Sequence, residues 1–254
     1  MINICEQMFC LHPFVSNKWE KEFFLRRKAM SNGDAVLARL FKLWAMVCKL
    51  VMDGKRSADQ VCDALQAIVD EQQFEAKVKE WVVFYERFFG LELDVSRLKI
   101  PEQQQGFDRL IIVAQGMTPQ RLFEKCKKLF PTWKWTEKNL DEIITSVRTA
   151  QNGAYAVWVR DRVEADEENK NCSANDFSGK GGTETLEERM LHELKYFRET
   201  GKHLDVQNWT LCASSRYSDG GVPCADWFSD EFRVYWDRPD RHFSRLRARS
   251  AVSQ

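Results

Sequence analysis

Four residues in HELKYFRETGKH, namely His192, Glu193, Glu199 and His203, come closest in this 254-residue chain to a hydrolytic metal site. A His-Glu-x-x-His helix sets its two ligands one turn apart, with a carboxylate between them to handle a proton. His192 and His203 are too far apart to share a helical face in this way, so that chemistry is not expected. Cys5, Cys10 and His12 offer thiolate and imidazole, but no second Cys-x-x-Cys or His pair completes four ligands. The stretch SGKGG, Ser178 to Gly182, has the glycines of a phosphate loop without its spacing or a preceding strand, and reads as a connector. RDRVEADEE, Arg160 to Glu168, reads as a solvated helix start with intrahelical ion pairs. No catalytic residue, metal or other cofactor is expected from these clusters.

A different chemistry stands near the end of the chain. FRVYWDRPDRHFSR, Phe232 to Arg245, mixes aromatic, aspartate and arginine residues without one lysine. Residues 1–210 hold 18 Lys and 13 Arg, whereas residues 211–254 hold 0 Lys and 7 Arg. An ordinary solvated face is furnished with lysine and glutamate. Rigid rings that bury area at low entropic cost, together with the planar fork of arginine, instead make an adaptable binding surface. A period of two through FRVYW puts Phe232, Val234 and Trp236 on one side and Arg233, Tyr235 and Asp237 on the other.

The segments YAVWVRD, NWTLCASSRYSDGGVP and FRVYW, with the closing RLRARSAVS, resemble the C-type lectin-like domain of variable proteins diversified by retroelements. The closing Arg-x-Arg pattern is similar also to formylglycine-generating-enzyme-like domains. The resemblance covers about residues 150–253. It implies a mechanism for the missing lysines: a reverse transcriptase misincorporates at adenines of a template repeat, and the codons so reached exclude Lys, Glu, Gln, Met and Trp. The ligand-binding, variable residues it implies are Arg216, Tyr217, Ser218, Asp219, Asp226, Phe228, Arg233, Tyr235, Asp237, Arg238, Asp240, Arg241, His242, Phe243 and Arg245, within a tail of residues 212–249. Trp227 and Trp236 would be fixed scaffold, their buried rings holding the domain while neighbours change.

Two rival activities follow from the same residues. Formylglycine-generating enzymes bind copper through a cysteine pair, and Cys212 and Cys224 could face each other across a hairpin. Cys224, however, is reachable by diversification, and Cys212 sits in an apolar strand where a free thiol is expected. Arg241, Arg245, Arg247 and Arg249 could meet phosphates while Phe243 stacks on a base, but Asp237 and Asp240 oppose this, and nucleic acid is disfavoured.

The elements that would position these residues divide into two regions. Apolar residues at Val36, Leu37, Leu40, Trp44, Val47, Cys48 and Val51 predict a helix over residues 34–52, ended by Gly54. Ser57 and Gln60 form a capping box before a long helix closed by Gly90 and interrupted near Gln72; a shorter helix is expected from Trp19 to Met30. A linker near residues 94–106 separates this helical region, 1–100, from a mixed region, 107–254, with short antiparallel strands. In it FDRLIIVAQG is a strand, Thr118 and Pro119 open a helix through Phe130, and AYAVWVRD is a strand after an Asn152-Gly153 turn. Thr185 and Glu188 box a helix that ends at Gly201. VPCADWF reads as a strand with an edge proline. The fold expected is therefore α+β, a helical region followed by a C-type lectin-like domain.

Composition sets outer limits on function. Lys plus Arg equals Asp plus Glu at 38 each, so no global field draws the chain to nucleic acid or an anionic membrane. No apolar run approaches the length of a membrane span, and the first residues lack a secretory pattern, so a cytoplasmic protein with free thiols is expected. Its partner would be an unknown ligand, a protein by preference, with self-association through the aromatic-rich N-terminal helices as a further expectation.

Overall fold

The computed structural model describes residues 32–177 and 182–254. The expected helix at Trp19 to Met30 and the Cys5, Cys10, His12 cluster lie outside the described residues, as does most of SGKGG. Helix α1 spans Asn32–Met52 and α2 spans Ala58–Phe89, with Gly54 at φ +68° ending the first. Helix α2 runs without interruption through Gln72. At its end the Gly90 and Leu91 amides bond to the Glu86 and Tyr85 carbonyls, and Gly90 takes φ +62°, a left-handed cap that glycine adopts without a Cβ penalty.

The chain divides into compact units between Phe74 and Glu75, inside α2, rather than in the linker expected at residues 94–106. The physical reason is the second half of α2. Trp81 and Tyr85 are buried and cap the free edge of strand β1, Arg109–Val113, with side chains in place of a neighbouring strand. The Trp81 indole donates to Leu110 O at 3.0 Å and the Tyr85 hydroxyl to Ile112 O at 2.7 Å, while the Ala114 amide donates to that hydroxyl at 3.1 Å. The linker itself is anchored, because the Trp158 indole donates to Pro101 O at 2.9 Å.

The second unit is α+β. After β1 come α3 (Pro119–Lys127), β2 (Thr132–Lys134), α4 (Leu140–Ile143), β3 (Ile144–Ser146) and β4 (Tyr155–Val159). Helix α3 stops at Lys127 rather than Phe130, since Pro131 disfavours helical backbone in the residue before it and β2 begins directly after. Helix α5, Leu186–Thr200, carries the expected Thr185–Glu188 capping box and ends on Gly201. Then follow β5 (Trp209–Leu211), β6 (Ser215–Tyr217), β7 (Val222–Phe228), β8 (Glu231–Asp237), β9 (Leu246–Arg247) and β10 (Ala251–Val252).

Three sheets result: β1-β4-β10, β2-β8-β7-β5-β9 and the pair β3-β6. Strand β10 lies against β4, so the last residues close the first sheet of the unit. The main core joins β1 and β4 to α3, α5 and one side of the five-stranded sheet through Ile111, Leu122, Val157, Met190, Phe232 and Val234. Strand β7 is central, which corrects the edge placement of Pro223. The missing N–H is tolerated because the β5–β7 pairing ends at Leu211 and Cys224, and beyond it Cys212 N–H donates to Pro223 O at 2.9 Å.

The stretch Arg160 to Glu168 is not a helix start. Asp166 is buried, pairs with Arg160 and accepts from Ser250 N at 2.8 Å, which draws the chain inward; only residues 167–169 form a 3₁₀ turn. At the centre of the unit Arg249 and Arg189 converge on Asp205. Arg249 donates to Asp205 Oδ1 at 2.7 Å and Arg189 to Oδ2 at 2.9 Å, with Glu193 also bound to Arg189 at 2.8 Å. Burial pushes the Asp205 carboxyl up, but the two guanidinium groups more than offset it and hold it below the usual range.

Candidate functional site

Alternation in β8 turns Phe232 and Val234 into the main core and leaves Arg233 and Tyr235 on the opposite side. Side chains paired in register share that side. Trp133 of β2 is opposite Arg233, Arg233 is opposite Asp226 of β7, and Trp209 of β5 extends the row past Asp226. A second row joins Tyr235, Cys224 and Leu211. A small core of Leu211, Val222, Cys224, Leu246 and Ala174 supports this outer face from within.

Two arginine–aspartate pairs stiffen the face. Arg233 donates through Nε and Nη2 to both oxygens of Asp226, at 3.0 and 2.6 Å, and its guanidinium lies 4.3 Å from the Phe228 ring and 5.7 Å from the Tyr235 ring. Arg241 reaches both oxygens of Asp237 at 3.2 Å and lies 5.2 Å from the Phe243 ring and 5.7 Å from that of Trp209. Trp209 meets Phe243 at 4.9 Å and Tyr235 edge-on at 5.7 Å. Bidentate pairing fixes the Arg233 guanidinium plane, whereas Arg241 shares one nitrogen, Nη1, between the two Asp237 oxygens; for both, contact with rings adds attraction. Burial pushes the Asp226 carboxyl up, with Arg233 pulling it partly back.

Of the fifteen residues expected to form the site, these elements bring together Phe228, Arg233, Tyr235, Arg241 and Phe243. Asp226 and Asp237 are buried and serve as anchors beneath them. Arg238, Asp240, His242 and Arg245 are exposed on the segment that follows β8. Arg238 pairs with Asp240 at 3.5 Å, His242 Nδ1 lies 2.8 Å from Asn171 O, and Arg245 O accepts from Trp209 N at 2.8 Å.

Arg216, Tyr217, Ser218 and Asp219 lie on the two-stranded ladder and its turn instead. Tyr217 is buried in the main core and packs edge-on to Trp135 at 5.6 Å. Arg216 spends its Nη1 on the Ala213 and Ser215 carbonyls, at 2.7 and 2.8 Å. Asp219 accepts from the Trp236 indole and from Gly221 N, both at 3.0 Å, and these bonds hold its carboxyl below the usual range. Trp236 is therefore not the buried anchor expected: it is 36 % exposed and lies across Gly221. Trp227 is half-buried and packs against the main core, stacked on His203 with ring centroids 3.3 Å apart.

The residues named for the rival chemistries are separated in the fold. Cys224 shares the outer side with Leu211, its cross-strand partner, whereas Cys212, the next residue, points into the main core, so the two thiols occupy opposite sides of the sheet. Arg249 is buried on Asp205, and Arg247 pairs with Glu167 at 2.6 Å, so two of the four arginines of the basic tail are committed within the protein, while Arg245 stays exposed. His192 contacts Glu184 at 2.9 Å and His203 contacts Glu193 at 2.8 Å, as separate pairs. Among the described residues, no group of three or more His, Cys, Asp or Glu could hold a metal ion, and no helix is long and apolar enough to cross a membrane.

Comparison with protein-family models, curated proteins and solved structures returns no match. Trp133 and Trp209 belong to the face but were not among the expected residues. Both lie in strands of three residues, too short for a periodic signal; Trp209 differs in sitting in an apolar run, NWTLCAS, that reads as a strand.

Proposed function

We propose that this chain is a recognition protein whose second unit is a C-type lectin-like domain of the retroelement-diversified kind, presenting the outer face of its five-stranded sheet to a protein ligand in the cytoplasm. One observation carries the reading. Arginine and aromatic side chains from β7, β8 and the following segment form one stiffened surface, backed by two buried aspartates and a small core of their own. Such a surface binds by burying rigid rings and offering fixed guanidinium forks, the composition of interface hot spots. The diversification part rests on the absence of lysine from residues 211–254 and on the resemblance of the closing residues.

Under this reading the sheet divides its labour by side. Phe232, Val234 and Ala225 hold the core and stay constant, while Phe228, Arg233, Tyr235, Arg238 and the residues from Asp240 to Arg245 change. Sequencing the gene and its surroundings across many cells tests it. The expected result is a near-copy of the coding stretch beside a reverse transcriptase gene, with substitutions at adenines of the copy that fall on the outward codons. One invariant sequence without such a copy, or substitutions spread evenly over core and face, would overturn it. A rival reading as a nucleic-acid binder predicts salt-sensitive capture of random oligonucleotides, which the internal pairing of Arg247 and Arg249 disfavours.

A further inference from the structure

Backbone groups at a sheet edge need partners, and native chains cover or blunt such edges. Three edges of the two larger sheets are covered from within. Trp81 and Tyr85 cap β1, the Ala251 amide of β10 donates to Gly182 O at 2.7 Å, and Leu246 O of β9 accepts from the Asn171 amide at 3.2 Å. Strand β2 is the fourth edge. It pairs in parallel with β8, where the Phe232 amide donates to Pro131 O at 2.9 Å and the Trp135 amide to Val234 O at 3.1 Å. The N–H and C=O of Trp133 therefore turn toward β8, and those of Thr132 and Lys134 turn away from it. Among the described residues no hydrogen bond reaches the Thr132 or Lys134 backbone from the other side. The Lys134 amine, a charge that could guard this edge, is bound instead to Lys138 O at 2.6 Å and Gln120 Oε1 at 3.5 Å.

Donors and acceptors alternating at this spacing are complementary to one thing, a second extended backbone. The edge is also continuous with the outer face. Trp133 stands opposite Arg233 and is 45 % exposed, and Trp135, two residues on, is 40 % exposed, so an added strand would find indole rings for its own side chains. We infer that an extended segment of the protein ligand adds to β2 as a further strand of the five-stranded sheet. This rests on the reading of the outer face given above, and it assigns the two parts of the site different tasks. Strand β2 precedes the stretch 212–249, so its contacts stay constant, and main-chain hydrogen bonds accept any sequence. The changing residues Phe228, Arg233 and Tyr235 then select among the segments held there.

Random linear peptides displayed on phage and selected on the full chain supply the probe, and the best binder is synthesised and titrated by calorimetry. Methylating its backbone amides one at a time tests the geometry. Methyl groups at every second residue, where the N–H faces β2, should weaken binding about tenfold or more, and those at the residues between should leave it within about twofold. Thr132→Pro deletes one outward N–H and no side-chain bond, since the Thr132 hydroxyl has no partner among the described residues, and an edge strand tolerates proline. It should weaken binding about tenfold with the urea midpoint unchanged. Phe228→Asp reports on the face separately. Peptides lost with Phe228→Asp, yet showing no alternation in the methyl series and full binding to Thr132→Pro, would overturn the inference and leave the face reading standing. Alternation with no effect of Phe228→Asp would keep the edge and remove the face. Selection of no peptide would overturn the inference. So would a double mass in light scattering that Thr132→Pro returns to a single one, because the edge would then belong to a second copy.

Discussion

Arg233 and Asp226 sit opposite each other on neighbouring strands, joined by two hydrogen bonds and backed by the Phe228 ring. Neither position is independent of the other. Asp226 is buried and would lose the guanidinium that pairs with it among the described residues, whereas the double replacement removes both the charge and its complement. A double-mutant cycle with Arg233→Ala and Asp226→Ala, followed by urea unfolding, should give a coupling of about 1–3 kcal/mol. If the face is diversified, sequenced variants that lose Arg233 should also lose Asp226. Coupling near zero would remove the pair from the framework.

Arg249 is the second arginine whose role is internal. Its Nη2 donates to Asp205 Oδ1 at 2.7 Å and to Val163 O at 2.7 Å, and its Nε to the Thr210 hydroxyl at 3.1 Å. Truncation would take one of two guanidinium groups from the buried Asp205 and leave the Arg162 and Val163 carbonyls without their donor. Arg249→Ala should cost about 3–5 kcal/mol in denaturant unfolding. A loss below about 1 kcal/mol would mean that Arg189 alone satisfies Asp205.

Gly221 has no room for a side chain. A Cβ there would stand 1.7 Å from the Trp236 indole nitrogen. Gly221→Ala should swing the ring away, break its bond to Asp219, shift tryptophan fluorescence to the red and cost about 1–3 kcal/mol. Trp236→Ala in the same chain should recover most of that cost by clearing the space.

Glu187 supplies a pH test. Burial pushes its carboxyl up from 4.5 to about 7, against the pull of Ser146, whose hydroxyl donates to it at 2.7 Å. The folded state thus holds a proton that the unfolded state has released over that interval. Stability from this group is present below the unfolded value and is lost as pH rises through the folded one. The advantage of the unaltered protein over Glu187→Gln should therefore shrink between pH 5 and pH 8, by up to about 3 kcal/mol. A difference that stays flat, or grows with pH, would contradict the assignment.

The parts legible in the sequence were those governed by local rules. The Thr185–Glu188 capping box, the left-handed glycines and the alternation of FRVYW each act within a few residues, and α1, α5, β4 and β8 appear where local signals lie. What stayed hidden was set at a distance. Trp81 and Tyr85 read as one more helical stripe, because nothing local says that their polar tips will bond the edge of β1, some thirty residues on. Pro223 reads as an edge residue until the end of β5 is known to fall short of it. Trp236 obeys the period of two yet remains exposed, since the side it shares with Phe232 runs out at Gly221. The outward face was legible through composition and alternation; its two aspartate anchors were not separable from its contact residues, because both obey the same period.

The closing strand β10 completes a sheet whose other members are made more than ninety residues earlier, and Arg249 beside it fills the centre of the unit. A ribosome that meets a stop codon or slips frame anywhere in the stretch before it releases a polypeptide lacking both. Such a product has an open edge on β4 and keeps Arg189 but not Arg249 on the buried Asp205. A chain shortened before these residues therefore loses part of its framework, whatever side chains it carries from Phe228 to Arg245.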